Sequence, residues 1–136
     1  MSAVFQIFPI GVVRKKEDVV WLEIFAQYSD ALLGLDGFSH IKVLYWLHGN
    51  DTPVKRGVLQ VHPRNDKANP LTGVFATHSP LRPNPLGLTR CRILAVDGNR
   101  IKIEEIDAFD GSPVIDIKCF IPSPLSEAEI RLPDWV

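Results

Sequence analysis

The chain has 136 residues, 46% of them hydrophobic and 23% charged, with a formal net charge of −1. A chain of this length predicts one domain, spanning residues 1–136, whose core is large enough to fold without disulfides or metals. The near-zero net charge excludes a uniformly basic nucleic-acid binder. Eleven prolines disfavour a helical bundle, because proline cannot donate a helix hydrogen bond.

Short β-rich segments alternate with turns along the chain. Residues 27–35 carry apolar side chains at i, i+3, i+4 and i+7, which predicts one short helix. Asp97-Gly98-Asn99 favours a tight hairpin turn, and a charged turn is expected over residues 14–18. Strands are predicted over residues 5–13, 19–25, 38–48, 57–62, 88–96, 100–106 and 114–120. About seven strands and one helix predict an all-β fold, either a barrel or a sandwich.

Charge is unevenly distributed along the sequence. Residues 51–100 contain eight basic and three acidic side chains, whereas residues 101–136 contain three basic and eight acidic ones. The middle third could therefore attract a phosphate backbone, the alternative being an ordinary set of solvated surface charges.

The two cysteines, Cys91 and Cys119, are too few and too far apart for a disulfide scaffold or a zinc ribbon. No charged-then-apolar leader is recognisable, and the apolar runs are much shorter than the ~20 residues that span a bilayer. We therefore expect a cytoplasmic protein with reduced thiols and no membrane contact.

Residues 73–89 are the first segment with a chemical signature. Three prolines within residues 80–85 hold the backbone extended, so Arg82 and Asn84 are displayed from a stiff loop. Such preorganisation suits recognition of a ligand. The alternative is a rigid surface loop that only joins two strands.

Residues 106–118 are the second such segment, because Asp107, Asp110 and Asp116 fall within ten positions. Asp110 precedes a glycine and could cap its own turn. Asp107 closes an apolar strand, and we expect its carboxylate to face a pocket.

Metal binding and several common catalytic sites are not supported by the sequence. His40 and His48 share a face of one strand but would lie ~26 Å apart, and no histidine pair has metal-ligand spacing. No metal site is therefore predicted. Neither a nucleophile elbow, nor a P-loop, nor a dinucleotide-binding glycine motif is present.

Five ordered blocks resemble one known family. They are residues 9–13 (PIGVV), 35–40 (LDGFSH), 73–77 (GVFAT), 82–88 (RPNPLGL) and 110–118 (DGSPVIDIK). The chain resembles the TsaA-like (TrmO) family, which comprises S-adenosylmethionine-dependent methyltransferases with a small β-barrel fold, usually dimeric. Its known bacterial members methylate N6 of the threonylcarbamoyl-adenosine beside the tRNA anticodon. The resemblance therefore implies a small closed β-barrel, S-adenosylmethionine as cofactor, tRNA as partner and a homodimer.

The reaction that the resemblance implies needs a side chain that holds the N6–H group of the adenine, so that the nitrogen approaches the methyl group in line. Asn84 is the first candidate to accept the N6–H group of the adenine, and Asp107 is the second, as acceptor or weak base. The implied cofactor contacts are Leu47, His48, His78, Arg82, Leu88, Glu105, Ile106 and Asp107.

The chain departs from the family pattern in ways that leave alternatives open. A longer, proline-containing loop is usual where residues 14–18 stand, and an arginine is usual at His78. Both changes favour an S-adenosylmethionine-binding module without catalysis as the alternative. The near-zero net charge favours a third interpretation, methylation of a small molecule.

Overall fold

Two antiparallel hairpins with tight turns supply four of the main strands. The structure, a computed structural model, describes residues 3–136. The first hairpin joins β1 (Gly11–Lys16) to β2 (Val19–Ile24) through two residues with left-handed backbones, Glu17 and Asp18, whose φ angles are 51° and 66°. The second joins β6 (Leu86–Asp97) to β7 (Arg100–Ile103), and its Gly98 has a φ of 59°. Positive φ at such positions matches the right-handed twist of the flanking strands.

The remaining strands close the sheet into a barrel. They are β3 (His40–Trp46) and β8 (Pro113–Cys119), and the strand order around the closed barrel is β1-β2-β7-β6-β3-β8. Two short strands, β4 (Gln60–Val61) and β5 (Thr72–Gly73), form a separate pair. The prediction of a small closed all-β barrel is confirmed, with six strands in the barrel rather than about seven.

Alternation along the strands fills the barrel with branched aliphatic side chains. Successive residues of a strand point to opposite faces, and in β2, β3 and β7 every second residue is buried. The core residues that are no more than 1% exposed are Val13, Leu22, Ile41, Val43, Cys91, Ile101, Ile103 and Val114. They come from all six barrel strands, so the barrel interior is a packed core rather than a channel.

Two bulges bend the sheet where it closes. Leu94 is an extra residue on β6 between Ile93 and Ala95, which pair with the consecutive β7 residues Ile103 and Lys102. Ile115 is an extra residue on β8 opposite Leu44 and Tyr45 of β3. An extra residue increases the local twist, so both bulges help a short sheet to curve into a barrel.

Some local predictions are corrected by the structure. The predicted helix over residues 27–35 is a 3-10 helix, Ala26–Leu32, which buries none of its residues and has no side-chain cap. The one α-helix of the described chain is α1, Pro53–Arg56, which Thr52 caps by accepting from the Lys55 backbone N–H. The first strand begins at Gly11 rather than residue 5. The first turn shrinks to two residues, because pairing with β2 continues through Lys16. No helix of residues 3–136 has the length and apolar character needed to cross a membrane.

Burial of Cys91 should lower the stability of the barrel as the pH becomes alkaline. The Cys91 side chain is 1% exposed, and burial raises the pKa of its thiol from 9.0 to about 11. Between these values the unfolded chain releases the thiol proton while the folded chain keeps it. The free energy of unfolding should therefore decrease by roughly 2–3 kcal/mol as pH rises from 9 to 11.

Denaturant unfolding across that pH range measures this contribution. Cys91→Ala lacks the thiol, so its unfolding free energy should decrease less than that of the wild type over the same pH range. Parallel profiles for the wild type and Cys91→Ala would contradict the assignment.

Candidate functional site

A cleft of about 800 Å³ lies beside the paired ends of β3 and β6. Its walls come from these two strands, from the turn after β3, from residues 75–84 and from residues 107–112. Volumes of this size are usual for small-molecule and cofactor sites. A second, more open cleft of about 580 Å³, beside residues 29–36, contains none of the predicted site residues.

Tyr45 connects three of the segments that line the cleft, namely β3, β6 and residues 107–112. Its side chain is 3% exposed and packs over Gly87, the residue with which it pairs on β6. The Tyr45 hydroxyl donates to the backbone carbonyl of Asp107 at 3.0 Å, and the Thr89 hydroxyl, also at 3.0 Å, donates to it in turn. Burial raises the pKa of Tyr45 above its usual 10.0, and the negative charge of Asp107 acts in the same direction. Tyr45 therefore stays a neutral hydrogen-bond donor that fixes the backbone of Asp107.

The proline-rich loop is stiffened by its own hydrogen bonds. The Thr77 hydroxyl accepts from the Ser79 backbone N–H at 3.1 Å, and the Ser79 hydroxyl accepts from that of Leu81 at 3.1 Å. Arg82 donates through Nη1 to the carbonyls of Thr77 and Ser79, at 3.3 and 3.0 Å. The stiff loop inferred from the prolines is thus supported by geometry.

Arg56 of α1 holds the part of this loop that presents Asn84, a role that sequence reasoning missed. Its Nε donates to the Pro83 carbonyl at 2.7 Å, and its Nη2 donates to Asn84 Oδ1 at 3.2 Å. Its Nη1 pairs with Asp51 at 3.0 Å, and the guanidinium lies 5.8 Å from the centre of the Trp46 ring. Because arginine only donates, the oxygen of Asn84 is turned towards Arg56, and the amide NH₂ is the group left for a ligand.

Asp107 lines the cleft, and its neighbours in the chain are held by hydrogen bonds from β1. Lys15 of the first hairpin donates through Nζ to the Ile106 carbonyl at 2.8 Å. The backbone N–H of Lys15 donates to Asp110 Oδ1 at 2.8 Å. The short first turn therefore leaves β1 in contact with the segment that presents Asp107.

Six of the predicted site residues line this one cleft: Leu47, His78, Arg82, Asn84, Leu88 and Asp107. Three others do not. His48 is exposed at the start of a 3-10 turn, Glu105 is exposed, and Ile106 is 2% exposed within the core. Within residues 3–136, no group of three or more histidine, cysteine, aspartate or glutamate side chains comes close enough together to hold a metal ion.

Two aromatic side chains at the cleft were also missed as site residues. Phe75 is 82% exposed and Phe109 is 75% exposed, although both line the cleft. Both stand in segments that the sequence analysis singled out, but nothing in the pattern separated them from core residues. Large apolar side chains left in solvent at a cleft are typical of a binding surface.

The volume of the cleft, its apolar side chains and its few polar groups are typical of a binding site for a small molecule or cofactor. Residues 6–124 match the family model described as the tRNA-methyltransferase O N-terminal domain, and the chain belongs to this family. The family predicted from the five sequence blocks is thereby confirmed.

Two curated relatives illustrate the range of the family. A probable S-adenosyl-L-methionine-binding protein of Methanocaldococcus jannaschii is 49% identical over 112 residues, which cover 82% of this chain and 89% of the relative. A mouse tRNA (adenine(37)-N6)-methyltransferase is 40% identical over 98 residues, which cover 72% of this chain and 22% of the mouse protein.

Among solved structures, TrmO from Pseudomonas aeruginosa superposes with a TM-score of 0.74 and is 25% identical. The match covers 99% of this chain and 63% of that one, so the present chain spans less than two thirds of the solved protein.

Proposed function

We propose that this protein is an S-adenosylmethionine-dependent methyltransferase that methylates N6 of an adenine in tRNA. The observation that carries the proposal is that the family match spans the barrel and the whole cleft, with Asp107 and Asn84 facing one space. The mouse relative, a tRNA (adenine(37)-N6)-methyltransferase, supports the reaction, and the Methanocaldococcus relative, a probable S-adenosyl-L-methionine-binding protein, supports the cofactor. The particular adenosine that we propose as the substrate is the threonylcarbamoyl-adenosine beside the anticodon.

The chemistry of the cleft fits S-adenosylmethionine. Leu47 and Leu88 give apolar surface for the adenine, Arg82 gives a permanent positive charge for the carboxylate, and His78 adds a ring nitrogen. Bound there, the cofactor supplies an electrophilic methyl group on a sulfonium cation, which a carboxylate such as that of Asp107 favours. We leave His48, Glu105 and Ile106 out of the proposed contacts because they lie outside the cleft.

The two polar side chains divide the work on the substrate. Asp107 accepts the hydrogen bond of N6–H, which orients the nitrogen, and takes the proton that the nitrogen loses on methylation. Asn84 donates from its amide NH₂ to an acceptor of the substrate base, because its oxygen is held by Arg56. Asn84 thus takes the opposite role to the acceptor role predicted from the sequence.

We further infer that the protein works in the cytoplasm as a homodimer. Both cysteines are free, which is typical of a reducing compartment. The two terminal segments leave large apolar side chains exposed, among them Phe5 and Ile121. Such side chains favour a partner surface, and the mass of the protein in solution tests for the dimer.

Calorimetric titration with S-adenosylmethionine and S-adenosylhomocysteine tests the first part of the function. We expect saturable binding of both ligands. Incubation with tRNA and methyl-labelled cofactor, followed by nucleoside analysis, tests the second part, and we expect label on N6 of an adenosine. Comparison of tRNA with and without the threonylcarbamoyl group then tests whether the methylated nucleoside is the threonylcarbamoyl-adenosine.

A second candidate function is cofactor binding without methyl transfer. It is favoured by the Methanocaldococcus relative, a probable S-adenosyl-L-methionine-binding protein that matches this chain over most of both lengths. Tight binding of the cofactor without labelling of tRNA would support it. Absence of cofactor binding would contradict both candidates.

A further inference from the structure

Three strands place positive side chains side by side on the outer face of the barrel. Paired residues of antiparallel strands point to the same face, and so do residues two apart on one strand. Lys42 of β3 pairs with Arg90 of β6 on one side and with Lys118 of β8 on the other. In the next row along the same face, His40 pairs with Arg92. We call Lys42, Arg90, Arg92 and Lys118 the basic strip.

An aromatic ring lies within the strip. Phe120 follows β8 and is hydrogen-bonded through its backbone N–H to the His40 carbonyl. Its ring centre lies 5.1 Å from the guanidinium carbon of Arg90, 5.7 Å from Lys42 Nζ and 6.4 Å from the centre of the His40 ring. Both cations lie over the ring, so Phe120 holds Arg90 and Lys42 beside each other, and each keeps its positive charge for a phosphate.

The cations of the strip are not neutralised by the protein. Within residues 3–136, the ion pairs involve Arg14, Arg56 and Arg100, none of which belongs to the strip. Two carboxylates border it: Asp116 pairs with Leu44 one row away, and Glu104 donates its backbone N–H to the Arg92 carbonyl. Neither carboxylate is within ion-pair distance of a strip cation, so the four charges remain available to an anion.

The strip leads to the cleft. Leu44 and Leu88 form the next row of the same face after Lys42 and Arg90, and both line the cleft. The distance from this row to His40 and Arg92 is four residues of strand, ~13 Å, which is about the rise of four stacked nucleotides. A nucleic acid strand that puts one base into the cleft could therefore lay its neighbouring phosphates on the strip.

We propose that the basic strip binds the phosphate backbone of the substrate RNA next to the target adenosine. This inference rests on the proposed function for the identity of the RNA, but the strip itself can be tested without catalysis. The strip also shows how the fold uses the uneven charge distribution of the sequence. Arg90 and Arg92 belong to the basic middle third, whereas Lys42 and Lys118 are brought to it by the barrel.

The test is a triple variant, Lys42→Gln, Arg90→Gln and Lys118→Gln, whose tRNA affinity is measured across a range of salt concentrations. We expect about a tenfold or greater loss of affinity near 0.1 M salt, and a log–log salt slope shallower by about 2–3, because three phosphates are no longer neutralised. The affinity for S-adenosylmethionine and the melting temperature should not change. The KM for tRNA should rise while kcat at saturating tRNA stays the same.

A matched control removes the same charge elsewhere. Lys16, Lys67 and Arg131 are exposed and lie outside the strip, so Lys16→Gln, Lys67→Gln and Arg131→Gln together should leave the salt slope near that of the wild type. Equal effects of the two triple variants would overturn the strip as a specific track. If the strip variant bound and methylated tRNA as well as the wild type does, the inference would be overturned, but the proposed function would stand.

Failure of the proposed function can be distinguished from failure of the inference. Strip-dependent tRNA binding without methyl transfer would contradict the proposed function and support the inference. A wild-type protein that does not bind tRNA at any salt concentration would overturn the inference whatever the cofactor titration shows.

Discussion

Asp107→Ala should lower methyl transfer by about 100-fold or more, because the proposed acceptor of the N6 proton is lost. The Tyr45 hydrogen bond is made to the backbone carbonyl of Asp107 and not to its carboxylate, so the loop should keep its place. The measurement is single-turnover methylation of tRNA together with calorimetric binding of the cofactor. We expect the rate to fall and the melting temperature to stay near that of the wild type.

Asp107→Asn separates two possible roles of the carboxylate. An amide can still accept a hydrogen bond through its oxygen, but it cannot take a proton at neutral pH. A variant that is nearly as slow as Asp107→Ala indicates proton transfer, whereas a variant close to the wild type indicates orientation alone. Asp116→Asn makes the same charge change outside the cleft and keeps an acceptor for the Ile117 backbone N–H, so it should be as fast as the wild type. Full activity of Asp107→Ala would contradict the site assignment.

Gly87→Ala should destabilise the barrel and weaken cofactor binding together. A Cβ atom at this position would overlap the Tyr45 ring, so the ring must leave its place over β6. Overpacking of this kind costs about 1–3 kcal/mol. Displacement would also break the bonds from Tyr45 to Thr89 and to the Asp107 carbonyl, so the cleft would lose its support. Denaturant unfolding and cofactor titration measure the two effects.

Two further variants show whether the effect comes from the clash. Gly73→Ala changes a strand glycine whose added Cβ would have no neighbour within 4 Å, so its unfolding free energy should stay within a few tenths of a kcal/mol of wild type. Gly87→Ala combined with Tyr45→Leu should cost less than the sum of the two single changes, because the smaller side chain relieves the overlap. Additive costs would mean that Tyr45 is not the cause.

The fold could be predicted largely because its signals are local. Alternation of apolar residues in β2 and β3, and the Asp-Gly-Asn turn between β6 and β7, each depend on a few neighbouring residues. The bounds of β1 could not be predicted from these signals. Residues 5–10 are as apolar as a strand, but they form no ladder pairs with a barrel strand; of these residues Ile10 alone makes backbone hydrogen bonds, to Val114 and Phe25. Charged Lys15 and Lys16, in contrast, pair with β2. Pairing between distant segments, rather than composition, decided where this strand begins and ends.

The helix prediction was wrong about the type and the length of the helix. Tyr28, Leu32 and Leu35 of the amphipathic pattern pack against the core, but each is only partly buried. The segment has no side-chain cap, and it forms a 3-10 helix, Ala26–Leu32, that ends before Leu35. A pattern can favour a helix, but a segment this short gains little from helix propagation.

The candidate site could be predicted only where the residues stood in unusual sequence surroundings. Asn84 between prolines and Asp107 at a strand end were found in this way. Arg56 was not found, because its role comes from three contacts with residues 51, 83 and 84 that only the folded chain brings together. The basic strip was missed for the same reason, since its four charges are spread between residues 42 and 118.

The bonds from Lys15 to Ile106 and Asp110 have a consequence for how such proteins vary. Lys15 precedes the turn residues Glu17 and Asp18, so the turn itself does not contribute to these hydrogen bonds that support the Asp107 loop. Residues inserted at the tip of the first hairpin, between Glu17 and Asp18, would leave all the residue pairs between β1 and β2 in place. The tip is therefore a position where the length of the chain can change at little cost in stability, and where a lineage could add or discard a flap beside the cleft without rebuilding the barrel.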